Sequence, residues 1–348
     1  MRNISSFLIL VTILFFVKAN SFIFCQEPAP DNSYKLSLGI SSGTVYGKSL
    51  ELVYPVDTKA DYLSELIWEM NSIFYFDLNI DFGKRDFMSS TGFFSSISFK
   101  LGIPGNSGIH QNRDWMSAEN DNLTHFSSHK NTLRDFYWAD VVIGLSIPVK
   151  PYFYFIPAIK GSWMRFSFSG IDGQGKYARY AGCTPNCPPP WESSFHPANC
   201  GFTSFSSYSS IDYYPYIYQF HGEVIRYKQN WLLAAVGITT GITALNPLAF
   251  ELSFYISPFT YCAAVDEHIG RNIIFNDYSS WAIYMEPGGR ISYATERVDY
   301  SFEFSYNFIG RTRGPSYANE GAGFFKSLNE AGAGLSIFDI SFSITLKF

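Results

Sequence analysis

The sequence predicts an all-β chain, folded as a ten-stranded antiparallel transmembrane β-barrel of an outer membrane with long extracellular loops. Three observations carry this. Ten stretches alternate apolar and polar residues with a period of two, most over ten or more positions. Past an N-terminal leader, no apolar run approaches the ~20 residues of a transmembrane helix. Only 16% of residues are charged, against 34 Phe and 24 Tyr, a balance suited to an outer face that meets lipid between aromatic girdles. A soluble sandwich would use shorter strands and bury its aromatic face.

Residues 1–25 read as a secretory signal peptide, and 26–348 as one barrel domain. Arg2 supplies the positive start, residues 4–17 the short apolar core, and Val17-Lys18-Ala19 a small-residue cleavage site. Cys25 raises a lipoprotein alternative, which Phe24 just before it fits badly. The mature chain is therefore exported. A net charge of −5 and a pI near 5.7 argue against nucleic acid as a partner. Cys183, Cys187 and Cys200 crowd one Pro/Ser/Gly-rich region and Cys262 stands apart; export permits disulfides, and their pairing stays open.

Taken in order, the alternating segments span residues 34–53, 63–82, 93–103, 133–148, 152–169, 216–243, 248–265, 271–293, 298–308 and 332–348. The ninth is the cleanest, with Val298, Tyr300, Phe302, Phe304, Tyr306 and Phe308 on one face and Asp299, Ser301, Glu303, Ser305 and Asn307 on the other. The joins 83–92, 149–151, 244–247 and 294–297 are short, whereas 104–132, 170–215 and 310–331 are long. In outer-membrane barrels short turns face the periplasm and long loops face outward. By that parity the joins 54–62 and 266–270 also lie on the outer side.

The outer joins hold the residues with chemistry in them. Asp266-Glu267-His268 sets an imidazole beside a carboxylate, the minimum equipment for activating water: the carboxylate fixes the tautomer and stabilises the imidazolium that forms. Asp114, in His110-Gln111-Asn112-Arg113-Asp114-Trp115-Met116, would reach the same rim and could hold a water opposite His268. Alone, either segment reads equally as a solvated loop or a girdle residue. His125-x-x-x-His129 has metal-like spacing in a polar stretch with no acidic helper on its face, and Cys183-x-x-x-Cys187 fits a disulfide better than zinc. No serine sits in a nucleophile-elbow context, and no glycine-rich phosphate loop precedes a helix. Neither a metal nor a cofactor is expected.

Several blocks, in order, resemble the omptin family, ten-stranded outer-membrane endopeptidases of Gram-negative bacteria. They are Ser37-Leu38-Gly39 with Ser42-Gly43, Glu51-Leu52-Val53-Tyr54, Leu66-Ile67-Trp68, Asp114-Trp115-Met116, Tyr227-Lys228-Gln229 and Asp266-Glu267-His268. The final Phe348 also resembles the end of bacterial outer-membrane barrels. The resemblance implies that His268 and Asp266 activate the water and that Asp114 is the second of two acids facing them. The first of those acids falls on Asn112, which can donate a hydrogen bond but cannot accept a proton as a carboxylate does. Glu51 matches an acid of the pocket for a basic side chain; the second acid of that pocket falls on Ala264, and the acid expected for the next subsite on His125. Arg165 matches a lipopolysaccharide contact, but Asn230 replaces the arginine after Tyr-Lys-Gln, so dependence on lipopolysaccharide does not carry over.

The expectation is a surface endopeptidase, monomeric, facing outward, that cuts peptide bonds next to basic residues of peptide or protein substrates. A catalytically weak barrel serving as adhesin or receptor is the alternative that Asn112 motivates. A channel is a third, disfavoured because ten strands leave little lumen.

Overall fold

The computed structural model describes residues 34–56, 61–83, 91–116, 122–150, 152–178, 216–245, 247–321 and 323–348. The leader and Cys183, Cys187 and Cys200 lie outside the described residues, as does most of the 170–215 join. Fourteen strands form the fold: β1 (Lys35–Tyr54), β2 (Ser64–Gly83), β3 (Gly92–Gly102), β4 (Gly105–Asp114), β5 (His125–Lys150), β6 (Phe153–Tyr177), β7 (Tyr216–Leu245), β8 (Leu248–Ser257), β9 (Thr260–His268), β10 (Ile273–Ser280), β11 (Tyr284–Ala294), β12 (Val298–Ile309), β13 (Gly314–Asn319) and β14 (Phe324–Lys347). They build one closed antiparallel ring of ten staves, because β3 with β4, β8 with β9, β11 with β10, and β12 with β13 each share a stave. β14 pairs with β1 and closes the barrel, so among the described residues no sheet edge is left over. Two of the in-line breaks carry a proline, Pro104 and Pro258, which has no N–H to give the ladder.

Ten alternating staves are what the sequence predicts, and the join parity holds: the segments after β1, β4, β6, β9 and β13 share one end. The staves are longer than their alternation suggests. Residues 105–114 and 125–132, expected in a loop, belong to β4 and β5; residues 314–319 and 324–331 belong to β13 and β14. The physical reason is that the barrel continues past the lipid. There the outer face meets water, both faces turn polar, and the period-two signal disappears while the hydrogen-bonded ladder goes on.

The apolar belt is visible on the outer surface. Phe74, Phe76, Leu78, Ile80 and Phe82 of β2 are exposed, as are Phe250, Leu252, Phe254 and Ile256 of β8 and Phe302, Phe304 and Tyr306 of β12. Water would make such a face costly; hydrocarbon makes it the stable arrangement. Inside the belt the lumen is ionic. Lys160 lies 3.0 Å from Asp140 and 2.7 Å from Glu286, Lys100 pairs with Asp339, and Arg290 reaches Glu303 at 3.2 Å and Glu251 at 3.9 Å. These groups surround a polar cavity of about 230 Å³.

β2 alternates imperfectly in sequence for a structural reason. Between Ile73 and Met70 it holds one residue more than β1 does between Val45 and Gly47, and Ser72 takes the extra place with φ 58°. A one-residue bulge exchanges the two faces of a strand. Below it Ile73 and Tyr75 point inward, and above it Met70, Trp68 and Leu66 do. The bulge thereby delivers Trp68 to the interior of the upper barrel.

Candidate active site

Above the belt, the barrel section is filled by a polar bridge and an aromatic stack. The Ser49 hydroxyl donates to Gln229 Oε1 at 2.6 Å, tying β1 to β7 across the interior. Gln229 in turn donates from Nε2 to the Leu50 carbonyl and to the Tyr227 hydroxyl, each at 2.8 Å, and accepts from the Trp231 indole at 3.0 Å. Trp68 stacks on Tyr227 with ring centroids 5.4 Å apart and on His110 at 3.8 Å. The cleft rests on this floor.

One bank of the cleft comes from β9 and β10. Asp266 and His268 both project inward, two residues apart on β9, and His268 Nε2 lies 2.6 Å from Asp266 Oδ2. Asp266 is a strand residue rather than part of the expected 266–270 join, and it is 3% exposed. A 3₁₀ turn, Ile269–Arg271, then carries the chain into β10. Arg271 swings back over the imidazole, 2.5 Å from Nδ1. A guanidinium only donates, so Nδ1 is the accepting nitrogen and Nε2 carries the proton given to Asp266. Phe275 meets the ring edge-on at 5.7 Å.

The other bank comes from β4 and β5. Ser64 of β2 donates to Asp114 Oδ1 at 2.6 Å, with Asn112 Oδ1 at 3.1 Å, and the Asn112 amide reaches Asp114 Oδ2 at 3.4 Å. Asn112 and Asp114 therefore form one hydrogen-bonded unit, as their i, i+2 spacing on a strand permits. His125 is the cross-strand partner of Asp114, and Thr124 Oγ1 sits 2.9 Å from its Nδ1. Burial holds the His125 imidazole below its usual range against the opposing pull of Asp114, and Arg271 adds to the depression. Arg271 of the first bank and Asp114 of the second both act on His125 and on Tyr177, so the two banks meet at one mouth.

Below Asp266 lies Glu51, also 3% exposed. Its carboxyl is held well above the usual carboxylate range, first by burial and then by the charges of Asp266 and Asp277, and it lies within hydrogen-bonding reach of Asp266. Two carboxylates have no proton to share, and Glu51 Oε2 and Asp266 Oδ1 are both left without a donor. A proton on Glu51 would satisfy both oxygens at once. Asp277 of β10 completes this group, and its carboxyl is pushed up to about 7 by burial, with Asp266 adding to the shift. Sequence reasoning missed Asp277; the inward phase of Phe275, Asp277 and Ser279 is the signal that could have found it.

His110 and His129 are direct partners across β4 and β5, with stacked rings 5.4 Å apart. Burial lowers both imidazoles, and for His110 the neighbouring His129 and His268 lower it further. His125 and His129 stand on a strand, not in a loop. Among the described residues no three His, Cys, Asp or Glu side chains are arranged to hold a metal ion. Cys262 is buried with a free thiol.

The omptin family model matches residues 32–189 and 192–348. The chain belongs to the omptin family. Membership supports an outer-membrane protease of Gram-negative bacteria whose cleft faces outward. Among solved structures, the outer membrane protease OmpT of Escherichia coli matches at 18% identity and TM-score 0.68, over 91% of this chain and 99% of that one. At that identity the likeness establishes the fold. The transport unit of the autotransporter AIDA-I of Escherichia coli (11% identity, TM-score 0.33, 97% of each chain) and Ail of Yersinia pestis (8%, TM-score 0.25, 90% of this chain and 99% of that one) also match, at scores that carry no argument. No curated protein matches the chain.

Proposed function

We propose that this omptin is a surface endopeptidase in which water held between the two banks attacks a peptide carbonyl. His268 is the base, and Asp266 fixes its tautomer and stabilises the imidazolium. Asp114 and Asn112 face it: the carboxylate orients the water, and the Asn112 amide donates toward the attacked oxygen. Nδ1 is the nitrogen that takes the proton, so Arg271 must leave it when water enters. Glu51 receives the basic side chain beside the scissile bond. The observation that carries this reading is the 2.6 Å contact between His268 and a buried Asp266 at the open mouth of an omptin barrel.

The test is cleavage of a fluorogenic peptide with a central Arg-Arg by refolded protein in detergent. Wild type should cleave it, and His268→Ala should abolish cleavage. Asn112 favours one second reading, a weak enzyme serving as adhesin or receptor. An inert wild type that becomes active as Asn112→Asp would establish that reading instead.

A further inference from the structure

Three carboxyl groups from three strands converge beneath His268: Glu51 of β1, Asp266 of β9 and Asp277 of β10. They are 3%, 3% and 6% exposed, and each keeps one oxygen with no hydrogen-bond partner, Glu51 Oε2, Asp266 Oδ1 and Asp277 Oδ1. Lower in the same barrel, buried acids meet the protein's own cations, with Lys100, Lys160 and Arg290 each inserted between or beside carboxylates. Here only Asp266 has an ionic partner among the described residues, and that partner is His268. Buried acids without a cation are unfavourable unless something else brings the charge.

Asp277 stands directly across from Ala264 in the β9–β10 register. Ala264 is buried and contributes only a methyl group, so the carboxyl of Asp277 projects beside a position with no polar atom of its own. Glu51 approaches from β1, three staves round the ring from β10, and the stacked rings of Trp68 and Tyr227 beside it supply an apolar flank for an aliphatic stem. Two carboxyls from separate strands beside an apolar flank suit a long side chain that ends in several donors.

We propose that Asp277 is a specificity-determining residue: paired with Glu51, it receives the arginine or lysine side chain of the peptide substrate, and β10 thereby supplies the acid that Ala264 lacks on β9. This rests on the endopeptidase reading above. The groups facing Asp277 are Glu51 from β1, Tyr227 from β7, Asp266 and Cys262 from β9, and the Ser316 hydroxyl from β13. None brings a cation. A basic side chain entering the pocket would take the place of the protons that otherwise keep Glu51 and Asp277 neutral.

Two quenched peptides differing only at the residue before the scissile bond, arginine or its neutral isostere citrulline, test this. Wild type should prefer arginine in kcat/KM. Loss of one charge-assisted contact in Asp277→Asn should reduce the arginine-to-citrulline ratio by about ten- to a hundredfold. Moving the acid back to β9 in the double variant Ala264→Asp, Asp277→Asn should restore much of it. An unchanged ratio in Asp277→Asn, even with both rates lower, overturns the proposal. If wild type cleaves neither peptide, the endopeptidase reading fails on its own. The pocket is then read from Kd for reduced-bond versions of both peptides: arginine preference erased by Asp277→Asn supports the proposal, and equal affinities overturn it.

Discussion

Replacing Asp266 by Asn separates chemistry from architecture at this site. The amide carbonyl can still accept the Nε2–H of His268 at the observed 2.6 Å, so ring position and tautomer survive. In the proposed mechanism, what disappears is a full negative charge beside an imidazole that becomes cationic as it takes the proton from water. For charge centres about 4 Å apart, an effective dielectric of about 20 gives about 4 kcal/mol, or about three orders of magnitude in kcat. The same substitution relieves repulsion on Glu51, whose carboxyl is raised partly by the Asp266 charge. Asp266→Asn should therefore lose about a thousandfold in kcat, with little change in KM, and unfold in detergent at a temperature no lower than wild type. Initial rates on the Arg-Arg peptide and thermal unfolding of the same preparations provide the test. A loss of less than tenfold would refute the assignment of Asp266 as the partner of the catalytic base.

Further expectations concern pH, the lumen and the mouth of the cleft. Asp277, pushed up to about 7, keeps its proton in the folded state at pH values where the unfolded chain has released it. Its contribution to stability is therefore complete below about pH 4 and is lost as pH rises to about 7, at up to about 1.4 kcal/mol per pH unit. Thermal unfolding should show Asp277→Asn flattening that decline, with Glu51 retaining part of the slope; parallel curves would contradict it. Lys160→Met strands Asp140 and Glu286 without their shared cation, which should cost about 3–5 kcal/mol by urea titration in micelles, and a cost under about 1 kcal/mol would mean water already screens the pair. Arg271→Ala frees Nδ1 of His268 and should raise initial rates a few-fold. A tenfold fall would instead make the guanidinium a donor to the attacked oxygen.

Much of the barrel was legible in the chain because lipid imposes the strictest pattern a strand can carry. Every second residue from Val298 to Phe308 must be apolar, and that rule exposes strand count, direction and end without reference to any neighbour. The parity of short and long joins then places Asp114 and His268 on one rim. The pattern failed where lipid stops. Residues 105–114 run as strand with polar groups on both faces, and the extra residue at Ser72 reverses β2 so that Trp68 turns inward.

By itself, then, the sequence determined the membrane-spanning ring, the end at which chemistry is possible, and the nearness of Asp266 to His268; that both stand on one face of β9 rather than in a join came from the structure. Only the tertiary structure decided that Glu51, Asp266 and Asp277 share one buried space, that Ser49 and Gln229 bridge the interior beneath them, and that Arg271 rests on the imidazole. Those are contacts between strands far apart in the chain. A period-two pattern tells which face a residue occupies; the register and the bulges of a closed barrel tell which residue it meets there.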